Sequence, residues 1–180
     1  MQVLPLPADT QRRAAAVRLM IFDVDGVLTD GSLQFGTDGE MLKTFHVLDG
    51  QGIKQLQRSG VEVAIITARQ SPIVARRAAD LGITHLYQGA HDKLAAFTTL
   101  MDQCRLDASS CGYIGDDVID LPILTRAVFA ASVPNGHAEV RKRVHYITRA
   151  LAGAGAVREI CDLLLQAQGN YEAALAPYLE

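Results

Sequence analysis

The 180-residue sequence has no tryptophan, few aromatic residues (6%) and only three cysteines. Cys104, Cys111 and Cys161 are odd in number and lack C-x-x-C spacing. This argues against a disulfide framework and a cysteine-rich zinc motif, and it favours reduced thiols in the cytoplasm. The absence of tryptophan excludes no function.

An excess of basic residues is also missing. Lysine and arginine number 17 against 20 aspartates and glutamates, for a net charge of −3, which excludes the basic face of a nucleic-acid-binding protein. No apolar run approaches the ~20 residues of a membrane span, and Met1–Leu6 lacks the basic start of a signal peptide. We therefore expect a cytoplasmic protein that binds neither nucleic acid nor membrane.

What the sequence does contain is an alternation of strand-like and helix-like segments. With 180 residues, 49% of them hydrophobic, we expect one domain spanning 1–180. The alternation predicts an α/β fold, a doubly wound parallel sheet with helices on both faces. The predicted strands are 17–22, 61–66, 83–87, 111–114, 128–131 and 144–147, and the predicted helices are 11–17, 49–60, 71–81, 92–101, 119–126 and 156–168.

Residues 31–46 interrupt this alternation. Leu33 and Phe35 precede, and Met41 and Leu42 follow, the Gly/Asp turn at 36–39, a pattern that predicts an inserted β-hairpin. An isolated hairpin is marginally stable in water. We therefore expect it to pack on the body, on a partner subunit or over the active site.

The segment from Phe22 to Asp30, FDVDGVLTD, joins a buried strand to two carboxylates. Open α/β sheets carry their chemistry at the carboxyl ends of strands, and alternate residues of an extended segment point the same way, so Asp23 and Asp25 would face one opening. Gly26 lets the chain turn sharply. Taken alone, the motif fits equally well a turn whose aspartates accept backbone N–H groups.

Polar residues also follow the next three strands. Thr67, Lys93, Asp116 and Asp117 occupy these places, and in a doubly wound sheet they converge on one crevice. Carboxylates that lie so near to one another repel each other unless a cation lies between them. A set of oxygen ligands favours Mg²⁺ over zinc. Mg²⁺, lysine and threonine together suit a phosphoryl group.

The order of these residues suggests their roles in catalysis. Asp23 would attack phosphorus and form an acyl-phosphate, and Asp25 would protonate the leaving oxygen and then take a proton from water. Thr67 and Lys93 would hold the phosphoryl oxygens. Singly, Thr67 also fits a strand-end hydroxyl and Lys93 a solvated helix residue, but their joint occurrence favours catalysis.

A metal site follows from the same carboxylates. We predict that the side chains of Asp23 and Asp116 and the carbonyl of Asp25 bind Mg²⁺, with Asp117 or Asp120 orienting ligands or waters. The histidines show no metal-binding spacing and are interpreted as core or surface residues, with His46 also a candidate substrate contact. They are His46, His85, His91, His137 and His145.

These motifs resemble the haloacid dehalogenase-like superfamily of Mg²⁺-dependent phosphotransferases. The matching segments are DVDGVLTD, IITAR, Lys93 and GDDVIDLP. A closer resemblance, over nearly the whole chain, is to the 3-deoxy-D-manno-octulosonate 8-phosphate (KDO 8-phosphate) phosphatase family, through KTFHVLDGQGIK, LGITHLYQGAHDKL, YIGDDVIDLP and GAGAVREICDLLLQAQG. It implies a cytoplasmic homotetramer of lipopolysaccharide precursor synthesis, with no cap domain and a subunit interface built by the hairpin.

The resemblance also implies the residues that meet the substrate, partly through a neighbouring subunit. They are Asp25, His46, Val47, Leu48, Asp49, Gly50, Lys54, Arg69, Arg77 and Lys93. Arginine suits the carboxylate of a sugar acid, although Arg77, beside Arg76, fits an exposed helix face equally well.

Three positions depart from the family pattern. Leu48 and Lys54 stand where many relatives have arginine, and Ala68 stands where glycine is usual. Losing an arginine fork weakens a bidentate carboxylate contact. The sequence therefore favours a KDO 8-phosphate phosphatase, with a phosphatase for a related nine-carbon sugar acid phosphate, or a non-catalytic oligomeric sugar-phosphate binder, as alternatives.

The tail at 170–180 carries apolar residues, among them Tyr171, Leu175 and Tyr178. We expect it either to dock over an active site, its own or that of a neighbouring subunit, or to pack on the body of its own subunit.

Overall fold

The structure is a computed structural model that describes residues 6–179. Residues 1–5, part of the segment compared with a signal peptide, and residue 180, the end of the predicted tail, lie outside the described residues. None of the described helices is long and apolar enough to cross a bilayer.

Within residues 6–179, eight strands form two sheets. They are β1 (Leu19–Phe22), β2 (Gln34–Gly36), β3 (Gly39–Leu42), β4 (Glu62–Ile66), β5 (His85–Tyr87), β6 (Cys111–Ile114), β7 (Phe129–Ser132) and β8 (Tyr146–Ile147). The main sheet has the order β5-β4-β1-β6-β7-β8, and every neighbouring pair in it is parallel. The predicted α/β parallel sheet is confirmed.

Helices cover both faces of this sheet. They are α1 (Ala8–Ala15), α2 (Val47–Arg58), α3 (Pro72–Asp80), α4 (Lys93–Cys104), α5 (Leu121–Leu124), α6 (Ala138–Arg141), α7 (Ala156–Ala167) and α8 (Tyr171–Leu175). The helix predicted at 119–126 is instead a 3₁₀ turn at Val118–Asp120 followed by the short α5. The short helices α6 and α8 were not predicted, because one turn leaves too little periodicity to detect.

Strand β1 shows how the core is divided. Leu19 and Ile21 pack with the layer that contains α4 and α5, whereas Met20 and Phe22 pack with the layer that contains α1, α2 and α7. All four side chains are fully buried, because both faces of a parallel sheet are covered by helices. This burial explains why the strand reads as an unbroken apolar run.

Two helix starts position residues for the site. Ser71 caps α3, its hydroxyl accepting a hydrogen bond from the amide of Val74 at 3.4 Å, as the Ser-Pro pair predicts. Asp92 caps α4 by accepting from the amide of Ala95 at 3.0 Å. Lys93 is therefore the first residue of α4, at the end of the helix that faces the carboxyl edge of the sheet.

The predicted hairpin is confirmed as β2 and β3, a separate antiparallel pair. Its apolar side chains point largely into solvent in the single chain: Phe35 is 58% exposed and Met41 65%.

The tail lies on helix α2 of its own chain. The hydroxyl of Tyr178 accepts hydrogen bonds from Gln51, at 2.6 Å, and from Arg58, at 3.1 Å. Gln55 donates to the carbonyl of Ala174 at 3.3 Å. Of the two placements considered from the sequence, the single chain adopts the one on its own subunit.

Candidate active site

The loop after β1 turns at Gly26. Gly26 has φ of +92°, a backbone conformation that favours glycine. A Cβ atom built there would lie 2.2 Å from Oδ2 of Asp116, so glycine is also required by space. The missing side chain lets the Asp23–Asp25 loop and the loop after β6 approach each other.

Three carboxylates meet at this point. Asp23, Asp116 and Asp120 each offer an oxygen, and these atoms lie within 4.8 Å of one another. Burial raises the pKa of Asp23 to about 7, and the charge of Asp120 adds to the shift. Burial and Asp120 likewise raise the pKa of Asp116 to about 6. A divalent cation would relieve this repulsion, and the oxygen donors fit Mg²⁺.

Lys93 lies beside the carboxylates and is only 3% exposed. Its Nζ is 3.0 Å from Oδ1 of Asp23 and 2.6 Å from Oδ1 of Asp120. Burial alone would lower the pKa of Lys93, but the charges of Asp23 and Asp120 outweigh it and raise the pKa. Lys93 is therefore held as a cation next to the predicted nucleophile.

The carboxylate of Asp120 holds the neighbouring groups of the cluster in place through several hydrogen bonds. Besides Lys93, its carboxylate accepts hydrogen bonds from the hydroxyl of Tyr113 at 2.6 Å and from the amides of Asp116 and Asp117 at 3.0 and 3.1 Å. The side chain of Asp117 is turned away and caps the 3₁₀ turn by accepting from Val118 at 2.7 Å. Of the two residues predicted to orient the ligands, Asp120 has the contacts for it.

Thr67 follows β4 at the same edge of the sheet. Because Phe22 pairs with Ile65, Thr67 lies one residue further along its strand than Asp23 does along β1. Thr67 is 2% exposed, and its amide donates to the carbonyl of Tyr87 at 2.9 Å. Ala68 adopts a negative φ, since Arg105 is the sole non-glycine residue with positive φ in the described chain, so the alanine causes no backbone strain.

Sequence reasoning missed Lys43, which the hairpin carries into the site. Its ammonium group pairs with Asp25 and lies 3.0 Å from Glu40. Glu40 in turn accepts a hydrogen bond from the hydroxyl of Ser71. A lone lysine in a hairpin carries no pattern that would have revealed this contact.

The predicted arginine contacts stand near the hairpin and helix α2. Nε of Arg69 is 3.9 Å from Oδ2 of Asp25, and its guanidinium lies 5.5 Å from the ring centre of Phe35. Arg77 lies 5.6 Å from the ring centre of Phe45, and a Cβ on Gly50 would be 2.4 Å from its guanidinium. A side chain at position 50 would therefore make the guanidinium of Arg77 move away from the start of α2.

The remaining predicted substrate contacts lie at the start of α2 and differ in how exposed they are. Val47 and Leu48 are 77% and 51% exposed, and Nδ1 of His46 accepts from the amide of Leu48 at 3.3 Å. Lys54, further along α2, is partly exposed.

Asp49 faces the interior, which differs from the predicted substrate contact. It is 1% exposed and accepts from the amide of Arg158 at 2.7 Å. This burial and bond assign Asp49 to capping α7 rather than to touching substrate in the single chain.

Comparison with known proteins identifies the family. No family model matches the chain. The curated 3-deoxy-D-manno-octulosonate 8-phosphate phosphatase KdsC of Escherichia coli (strain B / BL21-DE3) is 46% identical over 170 residues, covering 94% of this chain and 90% of the relative. The chain belongs to the KDO 8-phosphate phosphatase family.

Solved structures of the KDO 8-phosphate phosphatase family and superfamily agree with this fold. The enzyme from Moraxella catarrhalis, in complex with magnesium, phosphate and KDO, has a TM-score of 0.92 and 44% identity, covering 94% of this chain and 98% of that one. A putative HAD superfamily (subfamily III A) hydrolase from Legionella pneumophila has a TM-score of 0.91 and 42% identity, covering 95% and 94%. The predicted superfamily is confirmed.

Proposed function

We propose that residues 1–180 act as one Mg²⁺-dependent phosphatase domain that hydrolyses KDO 8-phosphate to KDO and phosphate in lipopolysaccharide precursor synthesis. One observation carries this proposal: a buried nucleophile, Asp23, lies 3.0 Å from a buried ammonium group, Lys93, within a cluster of three carboxylates. A nucleophile, a cation and a metal-binding set in one place are what phosphoryl transfer requires.

Asp23, Asp116 and the carbonyl of Asp25 would hold the ion. Bound Mg²⁺ would neutralise charge on the phosphoryl oxygens and on the carboxylates around it. Asp120 supports this set because it binds the amide of Asp116 at 3.0 Å and so fixes the loop that carries Asp116.

The protein groups would then carry the two chemical steps. A carboxylate oxygen of Asp23 attacks phosphorus, forming an aspartyl-phosphate as the bond to the sugar oxygen breaks, and Asp25 donates its proton to that oxygen. In the second step Asp25 takes a proton from water, whose oxygen attacks phosphorus and releases phosphate and free Asp23. Lys93 and Thr67 hold the phosphoryl oxygens as charge redistributes.

The sugar acid would be recognised by cationic groups around the hairpin and α2. Arg69 reaches the site from the end of β4, and Arg77 is seated below Gly50. His46 immediately precedes α2 and Lys54 lies within it. Guanidinium groups bind carboxylates through paired hydrogen bonds, which suits the carboxylate of KDO.

A homotetramer is the proposed assembly, with the hairpin as its interface. Leu33, Phe35, Met41 and Leu42, on the two short strands or just before them, are 45%, 58%, 65% and 41% exposed. So many exposed apolar side chains favour burial against another subunit. We place the protein in the cytoplasm, in keeping with three free cysteines.

Phosphate release from a panel of sugar phosphates, with Mg²⁺ and with EDTA, tests the reaction. We expect Mg²⁺-dependent turnover of KDO 8-phosphate and its loss in Asp23→Asn. Normal release by Asp23→Asn would overturn the mechanism. Tight binding without turnover in the wild-type protein would instead support a non-catalytic sugar-phosphate binder, although a binder has no need of a nucleophile.

A second substrate is favoured by Leu48. It is 51% exposed at the start of α2, and together with Lys54 it departs from the arginine of many relatives, so a related nine-carbon sugar acid phosphate is the alternative substrate. The ratio of kcat/KM for the two substrates decides between them. Leu48→Arg should raise kcat/KM for KDO 8-phosphate if arginine normally binds its carboxylate there.

A further inference from the structure

Three side chains with different ligand atoms converge far from the carboxylate site. Glu62 is the first residue of β4, His85 the first of β5 and Cys104 the last of α4. They therefore meet at the amino edge of the sheet, whereas Asp23 and Thr67 follow the carboxyl ends of their strands. The phosphatase mechanism uses none of the three.

Their distances match those of a metal coordination shell. Sγ of Cys104 is 3.7 Å from Nε2 of His85, and that nitrogen is 3.5 Å from Oε2 of Glu62. Ligand atoms of all three residues lie within 4.8 Å of one another. Tetrahedral zinc with bonds of about 2.3 Å to sulfur and 2.0 Å to nitrogen and oxygen sets sulfur and nitrogen ~3.6 Å apart and nitrogen and oxygen ~3.3 Å apart.

A catalytic cysteine–histidine–carboxylate relay does not fit this arrangement. Such a relay uses the two ring nitrogens separately, one toward the nucleophile and one toward the carboxylate. Here Cys104 and Glu62 approach the same nitrogen, Nε2 of His85. Convergence of several donors on one point is how protein ligands surround an ion.

The donor atoms indicate which kind of ion. A thiolate and an imidazole select zinc and similar transition metals, whereas carboxylates alone suit Mg²⁺. The carboxylate site contains neither sulfur nor imidazole among its clustered ligands. The two ends of the sheet thus offer chemically different sites to different ions.

The geometry points to a zinc-class metal site formed by Glu62, His85 and Cys104, with water as the fourth ligand. The thiol proton of Cys104 passes to solvent as the metal–sulfur bond forms. An ion can enter because the side chains of Glu62 and His85 are 50% and 28% exposed and line an open surface groove.

A metal bound by Glu62, His85 and Cys104 would hold the C-terminal end of α4 against the sheet. The helix carries Lys93 at its first residue, in the carboxylate site, and Cys104 at its last. Joining Cys104 to the first residues of β4 and β5 would fix the helix against the sheet along its whole length. We therefore expect Zn²⁺ to raise the Tm of the Mg²⁺-loaded protein, because binding to the folded state alone is stabilising.

Cobalt absorption tests the proposal without relying on activity. Co²⁺ added to the full-length, Mg²⁺-saturated protein should give a thiolate-to-cobalt charge-transfer band. The band should disappear in Cys104→Ser and His85→Gln, and Co²⁺ affinity should fall at least about tenfold in Glu62→Gln, since even indirect changes around a metal cost that much. Glu62→Gln should leave phosphate release unchanged.

Two controls separate this site from others. Cys111→Ser keeps the thiol of Cys104 and should keep the band, and Asp116→Asn removes a carboxylate-site ligand and should keep it too. No band in the wild-type protein, or a band that survives in Cys104→Ser, would overturn the proposal and leave the three residues as a hydrogen-bonded surface cluster. Loss of phosphate release in Asp23→Asn bears only on the phosphatase function.

Discussion

Lys43 and Asp25 form an ion pair that ties the hairpin to the catalytic loop. The side chain of Lys43 is 1% exposed and that of Asp25 18%, so the pair is largely shielded from solvent. It links two segments that are 18 residues apart in sequence. Asp25 is the proposed acid and base. Its orientation therefore depends on a residue outside the catalytic motifs.

We predict that Lys43→Met lowers kcat by about tenfold to a hundredfold, part of what a positioned acid–base group contributes. The ammonium group that orients Asp25 is lost while most of the side-chain volume stays. Lys142→Met is the matched control, because Lys142 is exposed and its ion pair is with Glu139, away from the catalytic loop. Steady-state kinetics would contradict the idea if both variants retained the wild-type kcat.

Gly26→Ala should weaken Mg²⁺ binding at least about tenfold, since a Cβ 2.2 Å from Oδ2 of Asp116 must displace a proposed ligand. Gly60→Ala is a matched control: Gly60 has φ of +94°, and a Cβ there meets nothing within 4 Å. Both variants carry the backbone strain of about 1–2 kcal/mol. Equal Mg²⁺ affinities by calorimetry would show that the contact with Asp116 is unimportant.

Asp120→Ala should lower the free energy of unfolding by about 2–3 kcal/mol, because buried groups lose their acceptor while Lys93 keeps Asp23 as an ion-pair partner at 3.0 Å. The groups that lose it are the amides of Asp116 and Asp117 and the hydroxyl of Tyr113. Tyr113→Phe removes one hydrogen bond and should cost about 1 kcal/mol. Urea unfolding that ranks Tyr113→Phe as the more damaging change would refute this account.

His145 should make stability depend on pH. Its Nδ1 accepts from the amide of Ala130 at 2.9 Å. Burial lowers the pKa of His145 below 6.5. The charge of Arg13 lowers this pKa further, whereas the charge of Asp9 raises it. The unfolded chain therefore takes up the proton first, and the free energy of unfolding falls as pH drops below that value.

The slope from His145 must stay below about 1.4 kcal/mol per pH unit, the value for one whole proton, and is reduced because the ring is partly exposed. His145→Asn keeps an acceptor near Nδ1 and should flatten the pH dependence between about pH 7 and pH 5. Identical slopes in urea unfolding of wild type and variant would rule out this role.

Truncation after Gly169 should change KM or kcat several-fold. The tail hydrogen-bonds to Gln51 and Arg58 of α2, the helix whose start carries His46 to Gly50. Removing it frees the helix that presents the predicted substrate contacts. Tyr178→Phe removes only these two bonds and should show a smaller change in the same direction, whereas unchanged kinetics in the truncated protein would exclude a functional tail.

The sequence alone was enough for the fold class and for the convergence of Asp23, Lys93 and Asp116 at one edge of the sheet. Strand β1 is apolar on both faces because helices cover both faces of the sheet, and that is visible as an unbroken run. Asp23, Thr67, Lys93 and Asp116 follow successive strands, and parallel strands necessarily bring their carboxyl ends together. Local pattern and chain direction therefore determined both results.

The tertiary structure decided the contacts that no local pattern encodes. Lys43 reaches Asp25 only because the hairpin folds back onto the loop, and Asp49 is buried only because α7 packs on α2. The cluster of Glu62, His85 and Cys104 joins three segments with no metal-binding spacing along the chain. Such contacts depend on how elements dock, which is the sum of many weak packing interactions over the whole molecule.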